Sequence, residues 1–234
     1  MPETDAAPAS VTADARSSLR RPVERPVPLR RLVFDAIIEM IINRDLQPGQ
    51  HLSEADLAQT LGVSRQPIRE ALQQLQTEGW VNLRQGQGAF VHAPTRKETD
   101  DLLAVRIILE AESAREAALG RSDADIAKLW ALWHHGTEVA AKGDREAMVA
   151  ANAELHAYIM SIGGNSVLAE LGRVVDRRVR WHYTPIAVVR GSDSWDEHAE
   201  LIHAIAEGDA DKAAAIMREH AGRTRTIASD ESQH

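Results

Sequence analysis

The chain predicts a mainly α fold in two parts: a small helical unit closed by a β-hairpin over residues 27–92, then an all-helical bundle over 96–228. Three observations lead there. From Leu29 onward apolar residues recur at helical spacing almost without interruption. Strand-like text is confined to His51-Leu52 and to residues 80–91, where glycines crowd a short turn. Glycine, asparagine and aspartate clusters then divide the second part into six stretches of helix length.

Composition bounds the functions that fit. With 234 residues the chain can bury two modest cores, and 44% hydrophobic and 26% charged residues are ordinary for a globular protein. The absence of cysteine excludes a disulfide framework and thiolate catalysis. No apolar run approaches the roughly 18 residues that span a bilayer. The opening MPETDAAPAS lacks the apolar segment of a secretory signal, so the expectation is a cytoplasmic protein with no membrane partner.

Residues 1–26, rich in Ala, Pro, Ser and Arg without periodicity, are expected to form a disordered arm; a DNA-touching role for Arg16, Arg20, Arg21 and Arg25 is the lesser reading. Leu32, Val33, Ala36, Ile37, Met40 and Ile41 share one helical face, which predicts a first helix from Leu29 to about Arg44. Leu46-Gln47-Pro48-Gly49 turns the chain into a short strand at His51-Leu52. Ser53 is placed to cap the next helix, with Asp56 completing a capping box and Gly62 ending it. Ser64 is placed to cap the following helix, and Pro67 is tolerated because it falls in the first turn. There Ile68, Ala71, Leu72 and Leu75 face inward, leaving Arg65, Gln66, Arg69 and Gln73 outward. Trp80 to Arg84, a Gln85-Gly86-Gln87-Gly88 turn and Ala89 to Val91 complete a hairpin. Two short helices across a glycine turn followed by a hairpin make a winged helix-turn-helix.

The outward residues carry a specific chemistry. A recognition helix reads base edges from its N-terminal end. Arginine suits guanine O6 and N7, and glutamine suits adenine N6 and N7. Ser64 and the first-turn N–H groups suit a phosphate oxygen, and the hairpin glycines let backbone approach the sugar-phosphate. The net charge of −8 does not oppose this, because residues 1–92 hold 10 Lys/Arg against 11 Asp/Glu and most of the acidity lies beyond them. Such a balance does argue against tight non-specific binding.

At these residues the chain resembles the GntR family of bacterial winged-helix regulators. Leu52 to Val81 and Gly86 to Val91 follow that family's "L-(S/T)-E-x-x-L-A-x-x-L-G-V-S-R-x-P-(V/I)-R-E-A-L" text and its "G-x-G-x-x-V" wing almost position by position. The resemblance implies DNA contacts from Ser64, Arg65, Gln66 and Arg69 on the recognition helix and from Gln85 and Gly86 on the wing. Ala55 departs from the polar residue often found there, which removes one phosphate contact.

Ala93-Pro94-Thr95 reads as a linker. The stretches that follow are about 96–119, 123–142, 144–162, 166–189, 194–207 and 210–228, with residues 229–234 left as a tail. Pro185 is expected to kink the fourth. Trp130, Trp133, Trp181 and Trp195 read as core or interface anchors. His156, His198 and His220 fall on three different stretches with apolar neighbours at helical spacing. Spacing alone leaves two readings open, satisfied core histidines or imidazoles converging on a divalent metal.

The second part resembles the ligand-sensing FCD domain that follows the winged helix in the FadR subfamily, with six helices pointing to its shorter, VanR-like branch. LLAVRIILE ending at Glu110, Asn152 to His156, Gly164-Asn165 and the text from Glu197-His198 to His220 carry that resemblance. It implies a metal held by Asn152, His156, His198 and His220, zinc first with nickel or manganese as alternatives. Asn152 stands where the family pattern has aspartate, which leaves the site one charge more positive. Arg106 matches the position that pairs with an effector carboxylate, against an alternative in which it pairs with Glu110 four residues on. The expected function is a ligand-responsive regulator, a repressor, binding double-stranded operator DNA as a homodimer and taking a small carboxylate effector. The competing readings are a metal-free sensor of the same family and an all-α metalloenzyme.

Overall fold

The computed structural model describes residues 28–183 and 193–231. The arm over 1–26, Pro185 and the end of the tail lie outside the described residues.

Helix α1 (Leu29–Ile42) buries Val33, Phe34, Ile37, Ile38, Ile41 and Ile42 on one face and ends slightly before the expected Arg44. It packs on α3 (Arg65–Thr77), which returns Ile68, Ala71, Leu72 and Leu75 to the same core. Between them α2 (Glu54–Leu61) is capped by Ser53, whose Oγ accepts the Asp56 N–H at 3.3 Å. The reciprocal half of the expected capping box is not made, because the Asp56 carboxylate does not reach back to the Ser53 N–H. Gly62, at φ 66°, ends α2 in the left-handed conformation that turns the chain toward α3. Ser64 occupies the N-cap of α3, but its hydroxyl makes no capping bond, contrary to expectation.

Strands β1 (His51–Leu52), β2 (Val81–Arg84) and β3 (Gly88–Val91) form an antiparallel sheet in the order β1-β3-β2, with Arg84 opposite Gly88 and His51 opposite Phe90. Trp80 does not begin β2 as expected. Its N–H is held by the Leu75 carbonyl at 2.8 Å and its ring turns into the core, so pairing starts one residue later.

The second part is the bundle α4 (Arg96–Gly120), α5 (Asp123–Lys142), α6 (Arg145–Ile162), α7 (Ser166–Tyr183), α8 (Asp193–Glu207) and α9 (Ala210–Glu231). Full capping boxes at Thr95/Glu98 and Ser122/Asp125 fix the starts of α4 and α5. Helix α4 is the spine: Ala111, Ala114, Ala117 and Ala118 are buried, and these small side chains let α6, α8 and α9 come close around it. At α5, Gly136 plays the same part, since a Cβ there would lie 1.8 Å from the Trp195 ring of α8. Helix α9 continues past the expected 228 to Glu231.

The bundle lends one side chain to the winged-helix core. Trp181, near the end of α7, is fully buried in the winged-helix core, stacked on Trp80 at 4.9 Å between centroids. Arg44 donates to the Trp181 carbonyl at 2.7 Å. The neighbouring His182 meets Thr99 of α4 at 3.2 Å, so α4 and α7 together connect the bundle to the wing.

Candidate functional site

The start of α3 and the wing both border one open cleft. Ser64, Arg65, Gln66, Arg69, Gln85 and Gly86 are all exposed. An open cleft of about 610 Å³ runs between helix and hairpin, with Arg65, Arg69, Gln73, Arg84 and Gly86 along it. Gly88 is forced as well as permitted, because at φ 94° a Cβ would lie 2.8 Å from His51 Nε2. Arg65 makes no ion pair among the described residues. Two of the expected readers have intramolecular partners. Arg69 forks onto Glu54 with bonds of 3.0 and 2.8 Å, and Gln66 donates to Glu70 at 2.8 Å. The Arg69 bond holds the Glu54 carboxyl below its usual range. Glu54 therefore competes with any phosphate or base for that guanidinium, and its distance of 15 residues from Arg69 hid the pair from sequence reasoning. Arg84, which packs 4.2 Å over the Phe90 ring, is a cleft residue the sequence reading did not include among the contacts.

In the bundle, His156 on α6, His198 on α8 and His220 on α9 are brought together in the interior, each less than 5% exposed. Their ligating nitrogens lie within 4.8 Å of one another. The His156 and His198 Nε2 atoms are 3.1 Å apart, and those of His198 and His220 3.3 Å. The outer nitrogens explain this orientation. His156 Nδ1 lies 3.0 Å from Glu110 Oε1, and His220 Nδ1 lies 2.7 Å from Glu197 Oε2. A carboxylate accepting Nδ1–H leaves the Nε2 lone pair of that ring pointing into the centre. Two of three facing nitrogens are thus acceptors, and a cation at their common point satisfies all of them.

The spacing fits that cation. Two nitrogens each about 2.0–2.1 Å from a tetrahedral ion stand about 3.3–3.4 Å apart. Asn152, one turn before His156 on α6, is half-buried. An amide oxygen, unlike the carboxylate of the family pattern, carries no charge. The charge comes from farther out: each outer carboxylate is itself held by an arginine, Arg106 Nε on Glu110 at 2.8 Å and Arg223 Nε on Glu197 at 2.8 Å. Burial pushes the Glu110 carboxyl upward, but the Arg106 charge and the hydrogen bonds from Arg106 and His156 outweigh it and hold the group well below the usual carboxylate range. Sequence reasoning offered the Arg106–Glu110 pair as an alternative but missed the Glu110 contact with His156, and it missed Glu197 as a histidine partner. Adjacent to His198 in the chain, Glu197 serves the histidine of a different helix.

Arg106 itself is buried in this ion pair, and the cavity against it, walled by Leu109, Met160, Gly172, Val175 and Asp176, measures only about 10 Å³. That is room for about one water. Among the described residues, a carboxylate fits on this side of the guanidinium only if α4 and α7 part.

A winged helix joined to an α-helical bundle with a buried polar centre defines the molecule as a DNA-binding regulator with a sensing domain. Comparison with known families agrees: the model for bacterial regulatory proteins of the gntR family matches residues 29–91, and that for the FCD domain matches 101–223. The chain belongs to the GntR family of transcriptional regulators and carries that family's FCD domain. Among its relatives, the Nta operon transcriptional regulator of Aminobacter aminovorans is 27% identical over 77% of this chain and 85% of its own length. The HTH-type transcriptional regulator LutR of Bacillus subtilis is 28% identical over 77% of this chain and 92% of its own. Among solved structures, E. coli McbR/YncC shares the fold with a TM-score of 0.76 at 20% identity, covering 88% of this chain and all of that one. These relatives are regulators of transcription, and the metalloenzyme reading is set aside.

Proposed function

We propose that this regulator is a homodimeric repressor whose grip on double-stranded operator DNA is set by a small carboxylate and a divalent metal bound in the helical domain. Residues 27–92 bind DNA and residues 96–228 sense the ligand. His156, His198 and His220, with Asn152 beside them, hold the metal, zinc first and nickel or manganese as alternatives. The convergence of the imidazole nitrogens, each outer ring set by its own carboxylate, is the observation that carries this reading. When bound, the metal supplies an electrophilic position for a carboxylate oxygen.

This chain's residues do the rest. Glu110 touches both Arg106 and His156, so an acid that draws Arg106 toward itself disturbs the histidine centre directly. Helix α4 carries Arg106 and Glu110 at its middle and Thr99 near its start, where it meets His182 beside the buried Trp181. A shift of α4 against α7 therefore reaches the winged helix. The effector moves the equilibrium only by its differential affinity for the two arrangements.

On the DNA side, Ser64, Arg65, Gln66 and Arg69 approach the major groove, and Gln85 and Gly86 approach the backbone. All six are exposed, and Arg65, Arg69 and Gly86 line one cleft, which supports these roles. The dimer face is the exposed apolar stripe of Val105 and Ile108 on α4 with Val167, Leu171 and Val174 on α7, which a second copy would bury.

The test is elemental analysis of untagged protein purified without added metal, followed by thermal-shift screening of small carboxylic acids with and without chelator. Metal in the purified protein and an acid-dependent rise in Tm that chelator abolishes are expected. Metal-free protein whose Tm rises equally with chelator present contradicts the metal and leaves a metal-free sensor.

A further inference from the structure

An open cleft of about 640 Å³ lies where α1, the corner between α3 and β2, and α7 meet. Phe34 and Trp80, both buried, form its floor. Arg31, Arg173, Arg177 and Arg178 line it, against two carboxylates, Glu78 and Glu170. Nothing in the DNA face or the histidine centre uses these arginines.

Their pairing is uneven. Arg31 binds Asp35 at 2.9 Å, and Arg177 reaches the same carboxylate only at 3.9 Å. Arg173 and Arg178 have no carboxylate within 4.0 Å among the described residues. Arg178 is half-buried with its guanidinium 5.1 Å from the Trp80 ring centroid, and loss of water lowers its pKa despite the fields of Glu78 and Glu98. A partly dehydrated cation with no counter-ion is unfavourable. Arg173 and Arg177 stand four apart on α7, the spacing at which like charges repel on a helix. An anion seated between them relieves both effects.

We propose that this cleft is a second effector site, separate from the histidine centre, which takes the phosphate group of a small molecule between Arg173, Arg177 and Arg178. Guanidinium forks match phosphate oxygens in pairs, and a phosphate dianion offers oxygens to several forks at once where a monocarboxylate fills one. The volume lies within the range of small-molecule sites, roughly 300–1,000 Å³. The walls come from both parts of the chain, so the occupant bridges the winged helix and α7 beside the Trp80–Trp181 stack. Binding there favours the docked arrangement over any in which the two parts separate.

The experiment is calorimetric titration of the full chain, chelated and in phosphate-free low-salt buffer, with pyrophosphate as probe. Inorganic phosphate and a glycerol phosphate run in parallel distinguish a free phosphate from a phosphate ester. Saturable binding of one pyrophosphate per chain is expected, weakened at least tenfold in Arg173→Gln/Arg177→Gln and unchanged in His198→Ala. Neither arginine contributes to a hydrophobic core, so the double variant is expected to fold with a Tm no lower than the parent's. Absence of saturable binding, or equal affinity in parent and double variant, overturns the proposal. So does loss of pyrophosphate binding in His198→Ala, which moves the ligand to the histidine centre. A change of oligomeric mass in the arginine variant with no pyrophosphate binding by the parent assigns the cleft to a second copy instead. Failure of metal or carboxylate binding in the earlier test leaves this result untouched.

Discussion

Replacing Glu110 by glutamine keeps the side chain's shape and removes its charge, and the structure sets the size of the effect. Oε1 takes the Nε–H of Arg106 at 2.8 Å and faces His156 Nδ1 at 3.0 Å, and the side chain is 5% exposed. The glutamine carbonyl oxygen can still accept from both donors, but the substitution removes the charge that faces the Arg106 guanidinium, 11% exposed, at 2.8 Å. Breaking a buried ion pair from one side costs about 3–5 kcal/mol. The same change weakens the hold on His156 Nδ1–H, and loss of such an outer partner lowers metal affinity by up to about 10–100-fold. Two assays read the two effects: denaturant unfolding of chelated protein, and zinc titration against a competing chelator. The pH dependence separates charge from packing. Glu110 is held below its unfolded pKa, near 4.3, so its contribution is fully present above that value and declines as pH falls below it. Parent stability is expected to drop more steeply than that of Glu110→Gln under acid conditions. A variant within about 0.5 kcal/mol of the parent, with zinc affinity within about twofold, refutes the assignment of Glu110 as the group that positions His156.

Other perturbations address the remaining links. Arg65→Ala is expected to cost about 1–3 kcal/mol of operator affinity and to relax sequence choice, measured by anisotropy on operator and scrambled duplexes. Trp181→Ala empties a fully buried site in the winged-helix core and is expected to cost about 3–5 kcal/mol, with unfolding of the two parts no longer coincident by fluorescence and circular dichroism. Gly136→Ala drives a methyl into the Trp195 ring and is expected to destabilise by about 1–3 kcal/mol or more in a denaturant melt, while operator affinity of the folded fraction is kept.

What could be read from the residues was whatever has a local cause. The helix-turn-helix follows from Gly62, which needs a left-handed backbone, and from the apolar spacing of Ile68, Ala71, Leu72 and Leu75. The bundle's helix boundaries follow from caps such as Ser122 and stops such as Gly143. What escaped depends on contacts distant in sequence. No local pattern says that Trp181 completes the winged-helix core, that Glu54 takes Arg69, or that Glu197 turns away from its neighbour His198 to hold His220. The histidines themselves were legible as candidates, but their grouping needed three helices to be brought together around α4. Ser64 was misjudged in detail for a related reason: the N-cap position is a local property, whereas the direction of its hydroxyl is not.

The claim on which the whole account depends is that the histidine centre governs the DNA face. The direct measurement is operator affinity, on a duplex selected by the protein from a random pool, for metal-loaded protein with and without an acid that raises its Tm, and for His198→Ala under the same conditions. The acid is expected to change the affinity of the parent at least tenfold and to leave that of His198→Ala unmoved. Equal affinity in all four states, with both proteins folded, would mean that the buried centre only holds the bundle together and that regulation lies elsewhere.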